Sequence, residues 1–167
     1  MCIRDSSLAV RAIAHSFEID HDYRIEFTSD NPSGSFSGLK GTVNFDPEDL
    51  VSSSFDVTVD ATTINTGNSL KNRHARGKGY FDTDQFPQIG FKSKEIQATD
   101  SGFEVTGNLN LKGITKSFSF PFTFNENSEG VKAFEGEFDI NRLDYGIGGK
   151  GEKPSKVLHI KLYVPVK

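Results

Sequence analysis

The chain has 167 residues, of which 35% are hydrophobic and 25% are charged, and its formal net charge is −4. This length suits one domain that buries most of its apolar surface, and the composition disfavours both intrinsic disorder and nucleic-acid coating. The single cysteine, Cys2, excludes an internal disulfide and a cysteine-based metal site, and no apolar run approaches the roughly 20 residues of a membrane span.

Phenylalanine is unusually abundant: the chain has 15 Phe, one Met and no Trp. Large apolar rings at alternating positions suit either a packed β core or a lined cavity. Both interpretations stay open on composition alone.

Residues 1–16 do not resemble part of the fold. Residues 12–14 (AIA) have the small-x-small form of a signal cleavage site, but Asp5 and Arg11 lie where the apolar core of a signal peptide should be. Two interpretations follow: a cloning or sequence-assembly scar that replaces most of a signal peptide, or an ordinary disordered tail. We therefore assign residues 17–167 to the folded domain.

Most of that domain alternates apolar and polar residues with a period of two, which is typical of half-buried strands. Turn residues separate the alternating stretches, and Gly38 and Gly41 predict bending within the second one. Pro121 predicts a strand edge or a bulge, because proline cannot donate to a ladder. The predicted strands cover residues 17–27, 39–45, 53–60, a stretch starting at 89, 103–111, 118–124, 134–140 and 158–166.

About eight long strands in meander order could form two packed sheets or one closed sheet. Closure is favoured because it removes exposed strand edges. The predicted fold class is therefore all-β, an eight-stranded antiparallel barrel with a short helical insert near residues 68–86. A barrel of this size has an interior that side chains nearly fill or that holds one ligand.

The insert interrupts the strand rhythm. Asn68 is placed to cap a helix over residues 70–76, and Gly77 is expected to end it in the left-handed conformation. Apolar residues then return at 80–81 and 86–87, as expected if the insert folds back across one end of the barrel.

Four cations, Lys71, Arg73, Arg76 and Lys78, surround His74 in this insert. They could form a solvated helix face, recognise a phosphate or anionic head group, or pair with acidic residues elsewhere. Arg73, His74 and Arg76 are the head-group candidates.

Catalytic and metal-binding patterns are poorly supported. The four histidines lack metal-ligand spacing. Residues 146–151 fit Gly-x-Gly-x-x-Gly, but no helix follows to receive a pyrophosphate, so a mobile hairpin is the preferred interpretation. Residues 34–38 (GSFSG) place Phe where a nucleophile elbow requires its nucleophile. We expect no metal, no cofactor and no enzymatic activity.

Five segments follow one another in a characteristic order. They are residues 62–66 (TTINT), 80–82 (YFD), 86–93 (FPQIGFKS), 107–116 (GNLNLKGITK) and 141–147 (NRLDYGI). This order resembles the YceI-like family, which comprises bacterial polyisoprenoid-binding, lipocalin-like domains. His74 is retained, whereas Lys71 and Asn72 replace the family's Arg-Asp and Ala75 replaces its Leu.

The resemblance implies a lipocalin-like barrel that holds a long-chain isoprenoid, such as a polyprenyl phosphate or an isoprenoid quinone, for storage or transport in the cell envelope. It also implies a periplasmic or secreted location and is compatible with a homodimer. The first alternative is an interaction or stress-response module that presents its loops on a barrel filled by side chains. The second is an enzyme acting on a bound lipid. The lipid itself cannot be named from the sequence.

Inward-facing apolar residues are the ligand-contact candidates, although such residues could equally fill the barrel. They are Phe27, Phe45, Phe55, Val57, Phe81, Phe86, Phe91, Leu109, Phe120, Phe122, Phe138 and Leu162.

Overall fold

Strands dominate the computed structural model, which describes residues 15–28, 33–147 and 157–167. Long strands alternate with short turns, and one helical insert follows the fourth strand. The strands are β1 (Ser16–Phe17), β2 (Arg24–Thr28), β3 (Gly34–Asn44), β4 (Ser54–Asn65), β5 (Gln88–Thr99), β6 (Gly102–Leu111), β7 (Ile114–Glu126), β8 (Lys132–Asn141) and β9 (Val157–Val166); the helices are α1 (Ser69–Arg76) and a 3₁₀ helix (Arg142–Tyr145).

Eight strands, β2 to β9, close into one antiparallel ring. The order is β3-β2-β9-β8-β7-β6-β5-β4, and pairing between β3 and β4 completes the circle. The short β1 pairs with the end of β3, and the residues after it bond to the end of β9, so this stretch fills the gap between β3 and β9 beside the short β2. The prediction of an all-β, eight-stranded antiparallel barrel is confirmed.

The ring has two ends with different contents. At the insert end lie α1 and the segment that follows it, the β6–β7 turn and the 3₁₀ helix. At the opposite end lie the β1–β2, β3–β4, β5–β6 and β7–β8 connections and the last residue, Lys167. These two names are used below.

The first predicted strand, residues 17–27, is not continuous. After β1 the chain stays bonded to the end of β9 through the backbone of Glu18 and Asp20, turns at His21 and Asp22, and continues as β2. The hydroxyl oxygen of Tyr23 then accepts hydrogen bonds from the backbone N–H groups of Gly38 (2.7 Å) and Leu39 (3.1 Å). A side chain thus replaces a strand as the partner of this part of β3, which alternation alone does not reveal.

The predicted bending in β3 is confirmed. The β3–β4 register shifts twice between Ser35 and Lys40, and Gly38 and Gly41 both have positive φ values, 76° and 140°. At Gly41 a Cβ atom would collide with the carbonyl oxygen of Asp56. Glycine is therefore required where the two strands approach to close the ring.

Helix α1 begins as predicted and ends differently. The Asn68 side chain accepts hydrogen bonds from the N–H groups of Leu70 (2.9 Å) and Lys71 (3.0 Å). Gly77 is extended (φ −74°, ψ 171°), so the expected left-handed end is wrong. The carbonyl of Gly77 instead accepts from the N–H of Asp82, and Asp82 itself adopts a positive φ of 48°.

One seam of the barrel wall, between β7 and β8, is only partly paired. Their ladder covers four residue pairs, from Thr123↔Glu135 to Glu126↔Lys132, whereas β7 pairs with β6 over nine. The carbonyl of Pro121 faces Gly136 of β8, and because N and C=O of one strand residue point the same way, its nitrogen also faces β8. The β7–β8 ladder ends at Thr123, two residues from Pro121, whose nitrogen has no hydrogen to donate. This agrees with the strand edge or bulge that Pro121 predicts.

This seam predicts uneven amide protection along β7. In residues 115–121, the amides that point toward β8 should exchange with solvent faster than those that point toward β6. The cause is that only the latter belong to a continuous ladder. Residue-resolved hydrogen exchange checks this expectation, and equal protection of both sets would contradict it.

Candidate ligand cavity

An internal cavity runs along the barrel, and all eight strands of the ring contribute to its wall. The centres of water-sized molecules could occupy about 210 Å³ of it. One water requires only ~10–15 Å³ on this measure, so the void is much larger than a packing defect. The barrel is therefore not filled by its own side chains.

The wall presents only apolar surface to the cavity within the part of the chain that the structure describes. A void without hydrogen-bonding partners does not hold ordered water well and suits a hydrocarbon ligand. Chemically, this interior can bury an apolar chain.

Ten of the twelve predicted contact residues line this cavity. Their positions follow from the alternation, because every second residue of each strand faces inward. Whether they touch a ligand stays a prediction. The ten are Phe27, Phe55, Val57, Phe81, Phe91, Leu109, Phe120, Phe122, Phe138 and Leu162.

Phe45 does not line the cavity because it seals the opposite end. It is 1% exposed, and its ring lies 5.0–5.7 Å from those of Phe103, Phe122, Phe124 and Phe134. Such ring pairs add stability beyond the area they bury. At this position the alternative interpretation, that phenylalanine fills the barrel, is the correct one.

Phe86 also lies away from the cavity. Its ring packs on Gly113 in the β6–β7 turn, where Gly113 has a φ of 77° and no side chain to occupy the space. This contact holds the end of the insert against the neighbouring hairpin.

The insert closes the other end of the barrel. Ala75 of α1 is buried in a cluster with Ile64 of β4 and Phe27 of β2. Phe81 follows the helix, lines the cavity and meets Phe36 with ring centroids 5.6 Å apart. The predicted fold-back of the insert across the barrel end is thus confirmed.

Asn72 fastens α1 to the strand before it. Its Oδ1 accepts hydrogen bonds from the backbone N–H (2.7 Å) and the hydroxyl (2.6 Å) of Thr66. An acceptor is all that this contact requires, so the amide oxygen here does what a carboxylate could do. Asn72, which departs from the family's Arg-Asp pattern, therefore still fastens the helix to Thr66.

The head-group candidates Arg73, His74 and Arg76 lie outside the cavity wall. Arg73 and His74 are exposed on α1, and Arg76 is half-buried. The His74 ring packs against that of Tyr80 at 4.8 Å. Their contact with a head group stays a prediction.

Arg142 is a wall residue that the apolar–polar alternation did not indicate. It is 1% exposed, and its Nη1 donates to the carbonyl oxygen of Ile147 at 2.8 Å. Both residues border the cavity. The guanidinium thus holds the chain that follows the 3₁₀ helix against the barrel, while its polar atoms add no polar surface to the cavity.

Lys112 joins the loops of the insert end. Its ammonium donates to the carbonyl oxygens of Lys78 and Gly146, both at 3.0 Å. Lys112 and Gly113 form the β6–β7 turn with positive φ values of 52° and 77°, as tight hairpins require. One side chain therefore ties the insert to the 3₁₀ segment across the barrel end.

Other wall residues extend the predicted pattern. Ile25, Val43, Leu111 and Ile160 belong to the same inward faces and could have been found by following each alternation to its end. Phe36 could not, because the register shifts in β3 break the period there.

Three possible metal ligands lie together on the surface. Ligand atoms of Asp20, His21 and Asp22 lie within 4.8 Å of one another in a turn between β1 and β2. His21 Nδ1 lies 2.8 Å from Asp20 Oδ1, and its Nε2 lies 3.3 Å from Asp22 Oδ1. Both ring nitrogens of His21 therefore contact carboxylates of its two chain neighbours.

Two predictions fall on other parts of the chain. The hypotheses on the first sixteen residues concern mainly positions 1–14, and the hairpin interpretation of residues 146–151 concerns positions 148–151; both stretches lie outside the described residues. Within the described part, Gly146 caps the 3₁₀ helix with a left-handed φ of 67°.

Among the residues with a described structure, none of the helices is sufficiently long and apolar to span a membrane.

The closed ring, the apolar interior and the helical closure together define a lipocalin-like barrel. The chain belongs to the YceI-like domain family, whose model matches residues 7–166. The resemblance found in the sequence is thereby confirmed.

Curated relatives are similar over part of their length. A UPF0312 protein of Yersinia pestis (strain Pestoides F) is 29% identical over 119 residues, which are 68% of this chain and 62% of that protein. A UPF0312 protein of Photorhabdus laumondii is 31% identical over 83 residues, 50% of this chain and 43% of that protein. The matched region thus spans less than two thirds of these relatives.

Solved structures share the fold over most of the chain. BcnA of Burkholderia cenocepacia has a TM-score of 0.80 with 27% identity and covers 90% of this chain and 100% of its own. A polyisoprenoid binding domain from Saccharophagus degradans, implicated in plant cell wall breakdown, has a TM-score of 0.64 with 14% identity, covering 91% and 93%. At that identity the second likeness establishes the fold alone.

Replacing Arg142 by Met should lower the free energy of unfolding by about 1–3 kcal/mol, because the buried carbonyl of Ile147 loses its donor. Lys at this position should not restore the loss, since it lacks the planar fork of donors. Urea denaturation measures the effect, with the exposed Arg73→Met as the matched control, expected to change stability by less than about 0.5 kcal/mol. Wild-type stability in R142M would contradict the assigned role.

Tyr145 should give the protein an alkaline limit. Burial, together with the negative charge of Asp144, raises the pKa of Tyr145 above 10.0. Above pH 10 the unfolded chain loses this proton while the folded chain keeps it, so stability falls as pH rises, by at most about 1.4 kcal/mol per pH unit.

The measurement is urea denaturation between pH 8 and 11. The Tyr145→Phe variant should lose less stability than wild type above pH 10. Tyr163→Phe controls for the loss of a hydroxyl elsewhere on the barrel. Parallel stability curves for Y145F and wild type would refute the assignment.

Proposed function

We propose that this protein binds a long-chain isoprenoid, such as a polyprenyl phosphate or an isoprenoid quinone, or a lipid of similar shape, inside the barrel. The observation that carries the proposal is the apolar cavity enclosed by all eight strands of the ring. Membership of the YceI-like family supports it, as does the structural neighbour that is itself a polyisoprenoid binding domain.

The physical chemistry of the cavity fits such a ligand. An isoprenoid chain offers only methyl, methylene and vinyl surface, so it needs apolar walls and few hydrogen-bonding groups. Burying each carbon contributes roughly 0.8 kcal/mol, or about 4 kcal/mol for a five-carbon unit before the cost of ordering the chain. A few buried units therefore suffice for tight binding without a polar contact.

The role we propose is storage or transport of the lipid in the cell envelope, without a chemical step. A periplasmic or secreted location belongs to this proposal. The side chains of Arg73, His74 and Arg76 are proposed to meet an anionic head group at the insert end. If neutralising all three leaves the affinity for isoprenoid phosphates unchanged, that role is wrong.

The direct experiment is lipid extraction and native mass spectrometry of the purified protein. A co-purifying isoprenoid is the expected result. If the protein carries nothing and does not bind added polyprenyl phosphate or quinone, the proposal fails. The interaction-module alternative would then account better for the protein.

A cavity-filling substitution tests the location of the ligand. Val57→Trp places an indole in the void and should weaken isoprenoid binding at least about tenfold, since the bound chain and the ring compete for one space. Val51→Trp is the matched control, because Val51 is 99% exposed at the opposite end. The natural sequence has no tryptophan, so the fluorescence of each variant also reports ligand binding. Equal affinities of V57W and V51W would exclude the cavity as the site.

A further inference from the structure

Charge is distributed unevenly along the barrel axis. In the described loops of the insert end there are six cationic side chains, of which Arg142 is buried, and three acidic ones, whereas the connections of the opposite end carry eight acidic side chains, with Lys132 and Lys167 beside them at the ends of β8 and β9. At the insert end these are Lys71, Arg73, Arg76, Lys78, Lys112 and Arg142 against Asp82, Asp84 and Asp144; at the opposite end they are Glu18, Asp20, Asp22, Asp46, Glu48, Asp49, Asp100 and Glu129.

The chain as a whole is acidic, with a formal charge of −4, so the positive end is a local feature. An anionic surface would attract one end of the barrel and repel the other. Such a distribution orients the molecule before contact.

Helix α1 adds exposed apolar surface to the cationic end. Leu70 is 71% exposed, and Arg73, one turn later, lies on the same face. Ala75, the residue of α1 that packs on the barrel, points the opposite way. Ile114, in the neighbouring hairpin, is 37% exposed.

We propose that the insert end docks on a lipid bilayer with anionic phosphate head groups. Cations combined with a few exposed apolar side chains are what an interfacial contact requires. The acidic opposite end, which Phe45 and its neighbours seal, then faces the aqueous phase. The inference rests on the proposed function, since docking would place the insert, which closes the barrel, against the membrane that supplies or receives the lipid.

The first measurement is cosedimentation with vesicles of phosphatidylcholine alone or mixed with phosphatidylglycerol. Binding should require phosphatidylglycerol and weaken as salt is raised to 0.5 M, because screening shortens the range of the interaction. Equal binding to both vesicle types, or to neither, overturns the proposal.

Matched variants then locate the contact. K78Q/K116Q removes two exposed cations at the insert end. Each cation near an anionic surface changes the vesicle partition coefficient about fivefold, so that coefficient should fall about 25-fold. K132Q/K167Q removes the same charge at the opposite end and should not lower it. Leu70→Ser should lower it severalfold. If the two double variants bind alike, the docking face is wrong.

The docking proposal and the proposed function fail separately. Binding of an isoprenoid quinone in detergent involves neither a bilayer nor an anionic head group, and K78Q/K116Q should leave it unchanged since neither lysine borders the cavity. A protein that binds isoprenoid but shows no preference for anionic vesicles refutes only the docking. One that binds anionic vesicles but no isoprenoid refutes only the proposed function.

Discussion

Closure of the antiparallel sheet is the constraint on which the rest of the structure depends. An open sheet of long strands would expose two hydrogen-bonding edges, and pairing β3 with β4 removes both. The bend that this requires falls on β3, where Gly38 and Gly41 allow positive φ values and close approach to β4. Because the ring is closed, the inward faces of eight strands enclose one interior, and its contents depend only on side-chain size.

That interior is filled unevenly, although phenylalanine is abundant throughout. At the opposite end, Phe45 and Phe134 pack with Val105 and Val166 in one buried cluster. Toward the insert end, aliphatic side chains such as Leu109 and Leu111 leave the space that forms the cavity. The same residue type therefore seals the barrel in one half and lines its void in the other.

The sequence was informative wherever a local rule determines structure. Alternation predicted the strands and most of the wall, and Asn68 predicted the start of α1. The sequence was uninformative where packing between distant segments decides the position of a side chain. Phe45 and Phe55 have the same apparent inward position, yet only Phe55 reaches the cavity. Arg142 is buried because the Ile147 carbonyl needs a donor, and no local pattern encodes that need.

The insert illustrates how a polar segment can close an apolar barrel. Few of its side chains contribute to the interior, chiefly Ala75 and Phe81, and hydrogen bonds hold much of the rest. Asn72 binds Thr66, and Lys112 binds the carbonyl of Lys78 from the neighbouring hairpin. A closure held by a small apolar contact and several exposed hydrogen bonds opens at lower cost than a core strand. The opposite end, sealed by interlocking aromatic rings, has no such low-cost route, so we infer that a ligand exchanges at the insert end.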